Sequence, residues 1–235
     1  MRKLFITDIH GEHCGLMKLL EHARYEPSVD ALVVGGDMVS RGPASGQVLR
    51  EIHALATAHP ERVTALTGNH EEMMSWHFDG RSEMWLDHAG KHTLSELRKT
   101  YRRESELRAC LDWIAALPLV YEDDEYVYTH AGLVPYDALE SQDREILWMS
   151  EQDFYAYPAE LILNATQGKP VIHGHTPCEF IVRDRARINC DLGAHTYAIM
   201  ESRALALVDL TQQLYYVYHL ETGQITERRL PRAAK

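Results

Sequence analysis

Five short apolar runs in this chain stop abruptly at small clusters of aspartate, asparagine, histidine and glycine, and that recurrence constrains the fold more than any other feature of the 235 residues. Leu4-Phe5-Ile6-Thr7 runs into Asp8-Ile9-His10-Gly11, and Ala31-Leu32-Val33-Val34 runs into Gly36-Asp37-Met38-Val39-Ser40-Arg41-Gly42-Pro43. Val63-Thr64-Ala65-Leu66-Thr67 meets Gly68-Asn69-His70-Glu71, Tyr126-Val127-Tyr128-Thr129 meets His130-Ala131-Gly132, and Pro170-Val171-Ile172 meets His173-Gly174-His175-Thr176. Each run reads as a buried strand. In open α/β sheets functional groups collect beyond the carboxyl ends of the strands, so five such endings can converge on one crevice. Asp8, His10, Asp37, Asn69, His130 and the histidines at 173 and 175 would meet there, a list of metal ligands.

The segments between the runs support an α/β plan. Residues 15–23 have helical spacing, with Leu16, Leu19, Leu20 and Ala23 on one face. Pro43 suits the first turn of a helix over 45–58, so the chain through Thr67 alternates strand and helix and predicts parallel crossovers. Residues 72–117 read as a helical insertion, with stretches at 72–77, 93–101 and 104–117. A hairpin with an acidic turn at Asp123-Asp124 is expected over 119–129. Residues 133–168 offer only a short helix near 138–146. Short alternating strands are then expected at 180–182, 187–190, 197–200, 204–210 and 214–220. The fold class is therefore α/β, a two-sheet sandwich flanked by helices, as one domain over 1–230 with its insertion at 72–117 and a disordered tail at 231–235.

Composition removes several classes of function. The 24 basic and 35 acidic residues give a net charge of −11 without a long run of like charge, which disfavours nucleic-acid and anionic-membrane partners. A phosphate-bearing substrate would need a local positive site, which divalent metals and an arginine can supply inside an acidic protein. No stretch approaches the roughly 18 apolar residues of a membrane helix, and the N-terminal run is too short for a signal-peptide core. Cys14, Cys110, Cys178 and Cys190 lack Cys-x-x-Cys spacing, so zinc ribbons and thioredoxin chemistry are disfavoured, and reduced thiols in a cytoplasmic protein are expected.

Taken singly, each motif has an ordinary reading. Asp8 and His10 could shape a turn, Asp37 and Arg41 could be an ion pair, Asn69 could cap a helix, and the histidines could be core residues. Together they place every member of one donor set at a strand end, which independent accidents would not do. A mixed nitrogen and oxygen set without cysteine suits manganese, iron, zinc or cobalt. One aspartate between two groups of ligands can bridge ions about 3.5–4 Å apart, the spacing at which a shared water becomes a nucleophile.

These motifs resemble those of the phosphoprotein phosphatases within the calcineurin-like metallophosphoesterases, over about residues 3 to 210. Their order and spacing are most similar to the compact bacterial and bacteriophage members, which include serine/threonine protein phosphatases and symmetrical diadenosine tetraphosphate hydrolases. The resemblance implies that Asp8 and His10 hold one metal, that Asp37 bridges, and that Asn69, His130 and His175 hold the second, with manganese expected. His173 falls where the family is not uniform and stays outside the ligand set. His70 matches the general acid and Arg41 the phosphate-orienting arginine. The implied reaction is in-line attack of a metal-bridging hydroxide on phosphorus. The first expectation is hydrolysis of phosphoserine/phosphothreonine proteins or small monoesters. The alternatives are cleavage of a dinucleoside tetraphosphate and, from a different class, a metal-binding regulatory module without catalysis. Two departures stand out. Ser40 replaces the aspartate that protein phosphatases pair with their catalytic histidine, as in the tetraphosphate hydrolases, and Ser150 replaces a second phosphate-binding arginine. Arg81, Arg144 and Arg183 are candidate substitutes. Trp76, His77, Trp85 and His92 either overhang the crevice and select substrates or cover the sheet. Oligomeric state is left open.

Overall fold

The computed structural model describes residues 1–233. Its first half runs β1 (Lys3–Ile6), α1 (His13–His22), β2 (Ala31–Val34), α2 (Ser45–Ala58), β3 (Val63–Ala65), α3 (Asn69–Phe78), α4 (Lys91–Thr100) and α5 (Glu104–Ala115). The second half runs β4 (Val120–Glu122), β5 (Val127–Thr129), α6 (Glu151–Ala156), α7 (Ala159–Ala165), β6 (Val171–His173), β7 (Val182–Arg183), β8 (Arg187–Asn189), β9 (Ala204–Asp209), β10 (Leu214–His219) and β11 (Ile225–Arg229). Two sheets result, one ordered β11-β10-β9-β1-β2-β3 and the other β4-β5-β6-β8-β7.

The period-2 alternation of the short strands sets the layers. In β1, Leu4 and Ile6 face α1 and α2 with Leu32 and Val34 of β2, while Phe5 and Val33 face the second sheet. Tyr128, Ile172 and Ile188 meet them from that sheet. The opposite neighbours in the second sheet, Val127 and Val171, turn outward onto Phe154 of α6 and Ile162 of α7. The molecule is therefore two sheets face to face with helices on both outer sides. Strands β1, β2 and β3 are parallel, with Phe5 opposite Val33 and Val33 opposite Thr64, and β5, β6 and β8 are parallel as well. All five parallel-strand endings that carry the motifs thus open on the same edge of the sandwich.

The α/β expectation and the bounds of α2 hold, and the 119–129 hairpin is β4 antiparallel to β5. Residues 197–200 are not a strand. Ile199 and Met200 are exposed, without the half-buried face a strand needs, and a 3-10 turn, Met200–Ser202, forms there instead. Residues 138–146 form 3-10 turns, Leu139–Ser141 and Arg144–Trp148, rather than one helix. Strand β11, absent from the sequence reading, pairs with β10 at the edge of the first sheet. Of the expected disordered tail, Ala234 and Lys235 lie outside the described residues.

Candidate metal centre

Every proposed ligand sits at a strand-to-loop junction. Asp8 and His10 follow β1, Asp37 follows β2, Asn69 opens α3 beyond β3, His130 follows β5 and His175 follows β6. These turns are tight enough to force side-chain-bearing residues into the left-handed region: Asp8 (φ 52°), His10 (45°), Asp37 (50°), Ser40 (74°), Arg41 (66°) and His175 (71°). They are six of the ten described non-glycine residues with positive φ, so backbone strain concentrates at this site, as it does where function over-determines geometry. Glycines allow the close approach. A Cβ at Gly68 would collide with the Asp37 carboxylate, and one at Gly174 with that of Asp8.

Asp37 lies at the middle. Its Oδ2 is 3.6 Å from His10 Nε2, and its Oδ1 is 3.6 Å from His130 Nε2. Two groups of candidate ligand atoms, each within 4.8 Å of one another, share this aspartate: His10, Asp37 and His70, and Asp37, His130 and His175. Asn69 joins the second, its Oδ1 lying 3.2 Å from His130 Nε2, which is also 3.2 Å from His175 Nδ1. Asp8 is outside the tight first group. Its Oδ2 accepts from the Thr7 hydroxyl at 2.7 Å and the His175 amide at 3.0 Å, while Oδ1 is buried without a partner. His10 Nδ1 donates to Val39 O and His130 Nδ1 to Gly35 O, each at 2.9 Å, which turns both Nε2 lone pairs toward the centre.

The donor set fits divalent ions. Nε2 of His130 and Oδ1 of Asn69 both act as acceptors yet face each other at 3.2 Å, an arrangement that a cation between them would relieve. Asp8, Asp37 and Asp191 are each no more than 2% exposed. Burial, then Asp8, pushes the Asp37 carboxyl well above its usual range, and the same causes act first on Asp191. Burial holds the imidazoles neutral, His10 and His70 with Arg41 as the next cause, and His175 down to about 3 with His130 next. Neutral imidazoles around crowded carboxylates are what a metal requires of its ligands. Arg41 Nη1 donates to His10 Nε2 at 2.8 Å and to Thr196 Oγ1 at 2.5 Å, so the guanidinium reaches the centre itself. His70 packs edge-on to His10 with ring centroids 5.0 Å apart, and its amide donates to Asp37 Oδ1 at 3.0 Å.

Glu71 is the residue whose importance the motif did not reveal. It is fully buried and accepts from the amides of Asp37 (2.7 Å), Met38 (2.8 Å), Val39 (3.1 Å) and Gly68 (2.9 Å), tying the Asp37 loop to the start of α3. Burial and then Asp37 push its carboxyl up to about 7, against the lowering effect of the Gly68 and Asp37 amides. Its signal was an acid three residues after the glycine that precedes α3, the acidic half of a capping box. Asp191 lies two residues beyond a sixth strand, β8, and its Oδ1 accepts from the Gly193 amide at 2.7 Å while Oδ2 is buried without a partner. Glu12 and His195, 2.9 Å apart, brace the loop that carries Thr196.

The remaining motif residues separate clearly. His173 faces away from the centre, its Nε2 lying 3.3 Å from the Tyr155 hydroxyl. Ser40 accepts from the buried Trp85 indole at 3.0 Å, so Trp85 belongs to the core under the site. Ser150 caps α6. Arg81 pairs with Asp79 and Arg183 donates to Gln213, whereas Arg144 lies 3.1 Å from Glu72, on the helix that begins at Asn69. None of the helices among the described residues is long and apolar enough to cross a membrane.

The chain is also similar to known proteins. A symmetrical bis(5'-nucleosyl)-tetraphosphatase from Klebsiella pneumoniae is 29% identical over 162 residues, covering 67% of this chain and 53% of that one. The chain spans about half the length of such curated relatives. Among solved structures, a protein provisionally described as a diadenosine tetraphosphatase superposes with a TM-score of 0.65 at 17% identity, covering 99% of this chain and 95% of its own. A serine/threonine phosphatase from Saccharomyces cerevisiae superposes with a TM-score of 0.66 at 15% identity, covering 100% and 81%. These superpositions speak to the fold. Residues 1–200 match the calcineurin-like phosphoesterases, a family of dinuclear metal-dependent hydrolases, and the chain belongs to that family.

Proposed function

We propose that this chain is a two-metal phosphoesterase that cleaves dinucleoside tetraphosphates symmetrically, releasing nucleoside diphosphates. The observation that carries the two-metal reading is Asp37, whose two carboxylate oxygens each face a different histidine at 3.6 Å. Asp8, His10 and Asp37 would hold one ion, and Asp37, Asn69, His130 and His175 the other, with manganese as the metal. Bound there, the pair would activate water and neutralise charge on the phosphate. Arg41, tethered at Thr196, grips equatorial phosphate oxygens, for which a guanidinium fork is shaped. His70, once protonated beside the negative charge of a bound phosphate, would donate that proton to the leaving oxygen. The one-domain reading of residues 1–230 is supported by Leu97, Cys110 and Ile114 of the 72–117 segment, which share a core with Leu4 and Ile6.

Ser40 favours the dinucleotide over the phosphoprotein expected first. Its hydroxyl is engaged by Trp85, and the buried His70 Nδ1 has no hydrogen-bond partner where protein phosphatases carry an aspartate. The names of the curated relatives point the same way. The test is turnover of p-nitrophenyl phosphate, a phosphothreonine peptide and diadenosine tetraphosphate in manganese buffer, with Asp37→Asn as control. Preferential release of ADP is expected. Faster turnover of the phosphopeptide would overturn the substrate reading, and no turnover of any would overturn the enzymatic one.

A further inference from the structure

Two tryptophans on different elements lie flat against each other beside the centre. Trp76 of α3 and Trp148, the last residue of the 3-10 turn Arg144–Trp148, stack with ring centroids 5.4 Å apart and planes 14° from parallel. The two elements that carry them meet at one buried carboxylate. Glu72 Oε1 accepts from Trp76 Nε1 at 3.0 Å, and Oε2 lies 3.1 Å from Nη1 of Arg144, four residues before Trp148. Glu72 is only 6% exposed, whereas Trp148 is 36% exposed and presents an indole to solvent.

The position of the stack follows from the elements that hold it. Trp76 is seven residues beyond Asn69, nearly two full helical turns, so it lies on the same face of α3 about 10 Å from the ligand position. On the other side Met149 packs against Gly132, in the loop that carries His130. The indole pair therefore joins α3, which begins at Asn69, to the segment that packs on the His130 loop. Trp85, by contrast, is fully buried and donates to Ser40. A tryptophan left one-third exposed on a braced partner, rather than turned into the core, offers a flat π surface at low ordering cost.

We infer that Trp148, backed by Trp76, is a stacking platform for the purine base of a bound nucleotide. This rests on the dinucleotide reading for its role in turnover, though nucleotide binding tests it independently. A base joined through a ribose and two phosphates to the scissile bond would extend outward from the metal centre along the Asn69–Trp76 face of α3. The platform would also give a purine dinucleotide an advantage over a compact monoester that ends near the metals.

The test uses the manganese-loaded protein and two variants, Trp148→Leu, which keeps apolar bulk over Trp76, and Trp148→Phe, which keeps a ring. The preference for diadenosine tetraphosphate over p-nitrophenyl phosphate, taken as the ratio of kcat/KM values, should fall roughly 10-fold in Trp148→Leu and less than about threefold in Trp148→Phe. ADP should quench tryptophan fluorescence in the wild type, inorganic phosphate should not, and the quench should be lost in Trp148→Leu. An unchanged preference in Trp148→Leu, or an ADP quench that survives in it, overturns the platform. Should the wild type fail to hydrolyse the dinucleotide, the proposed function falls, while a Trp148-dependent ADP quench would still uphold the binding site.

Discussion

The two sheets contribute unequally to the centre. The loops after β1, β2 and β3 support one another: the amides of His10 and Gly11 donate to the Asp37 and Met38 carbonyls at 2.9 Å, and Glu71 gathers four further amides. The second sheet supplies His130 and His175, and both lean on the first. His130 is oriented by Gly35 O, and the His175 amide by the Asp8 carboxylate. One half is a self-braced cradle and the other is docked onto it. The centre should therefore depend on residues of the first sheet for its existence and on those of the second for its occupancy.

The largest effect is expected at the residue both halves share. Asp37→Asn should lower manganese-dependent hydrolysis by at least roughly 10³-fold, about 4 kcal/mol of transition-state stabilisation, as read from kcat/KM on the preferred substrate. Next comes the brace. Glu71→Ala strands four buried amides and should cost about 3 kcal/mol by urea denaturation, whereas His130→Ala should cost visibly less. Equal losses would erase the asymmetry between the halves. Chelation comes third: with each ion at a hundredfold excess over its Kd, metal contributes roughly 3 kcal/mol per site, so EDTA should lower Tm in wild type and much less in Asp37→Asn. The smallest expected effect sharpens the chemistry. Ser40→Asp suits the φ of 74° better than serine does and restores a carboxylate before Arg41. It should raise monoester turnover relative to dinucleotide turnover by a few-fold.

The same asymmetry explains what could be read from the sequence. Strands β1 to β3 and helix α2 were legible because apolar alternation, helical periodicity and glycine-bounded turns agreed, and the donor residues stood where such strands stop. Glu71 stands within a motif, but its bracing role is not legible there, because a carboxylate that binds backbone amides looks like any first-turn acid. Residues 133–168 were illegible because α6 and α7 are six and seven residues long, too short to show a helical period, and the 3-10 turns have none. Strand β11 was missed because Ile225-Thr226-Glu227-Arg228-Arg229 carries the charges that keep an edge strand from pairing further. At 197–200 the alternation of Tyr197 and Ile199 imitated a strand. Those residues instead follow the loop that presents Thr196 to Arg41, a tertiary role that no local pattern encodes.

The central claim, a single aspartate shared by two metal sites, is tested most directly by manganese stoichiometry in equilibrium dialysis. Wild-type protein should bind two ions per chain and Asp37→Asn at most one, with Glu71→Gln as a control for damage to the cradle alone. Two ions retained at unchanged affinity in Asp37→Asn would contradict the account.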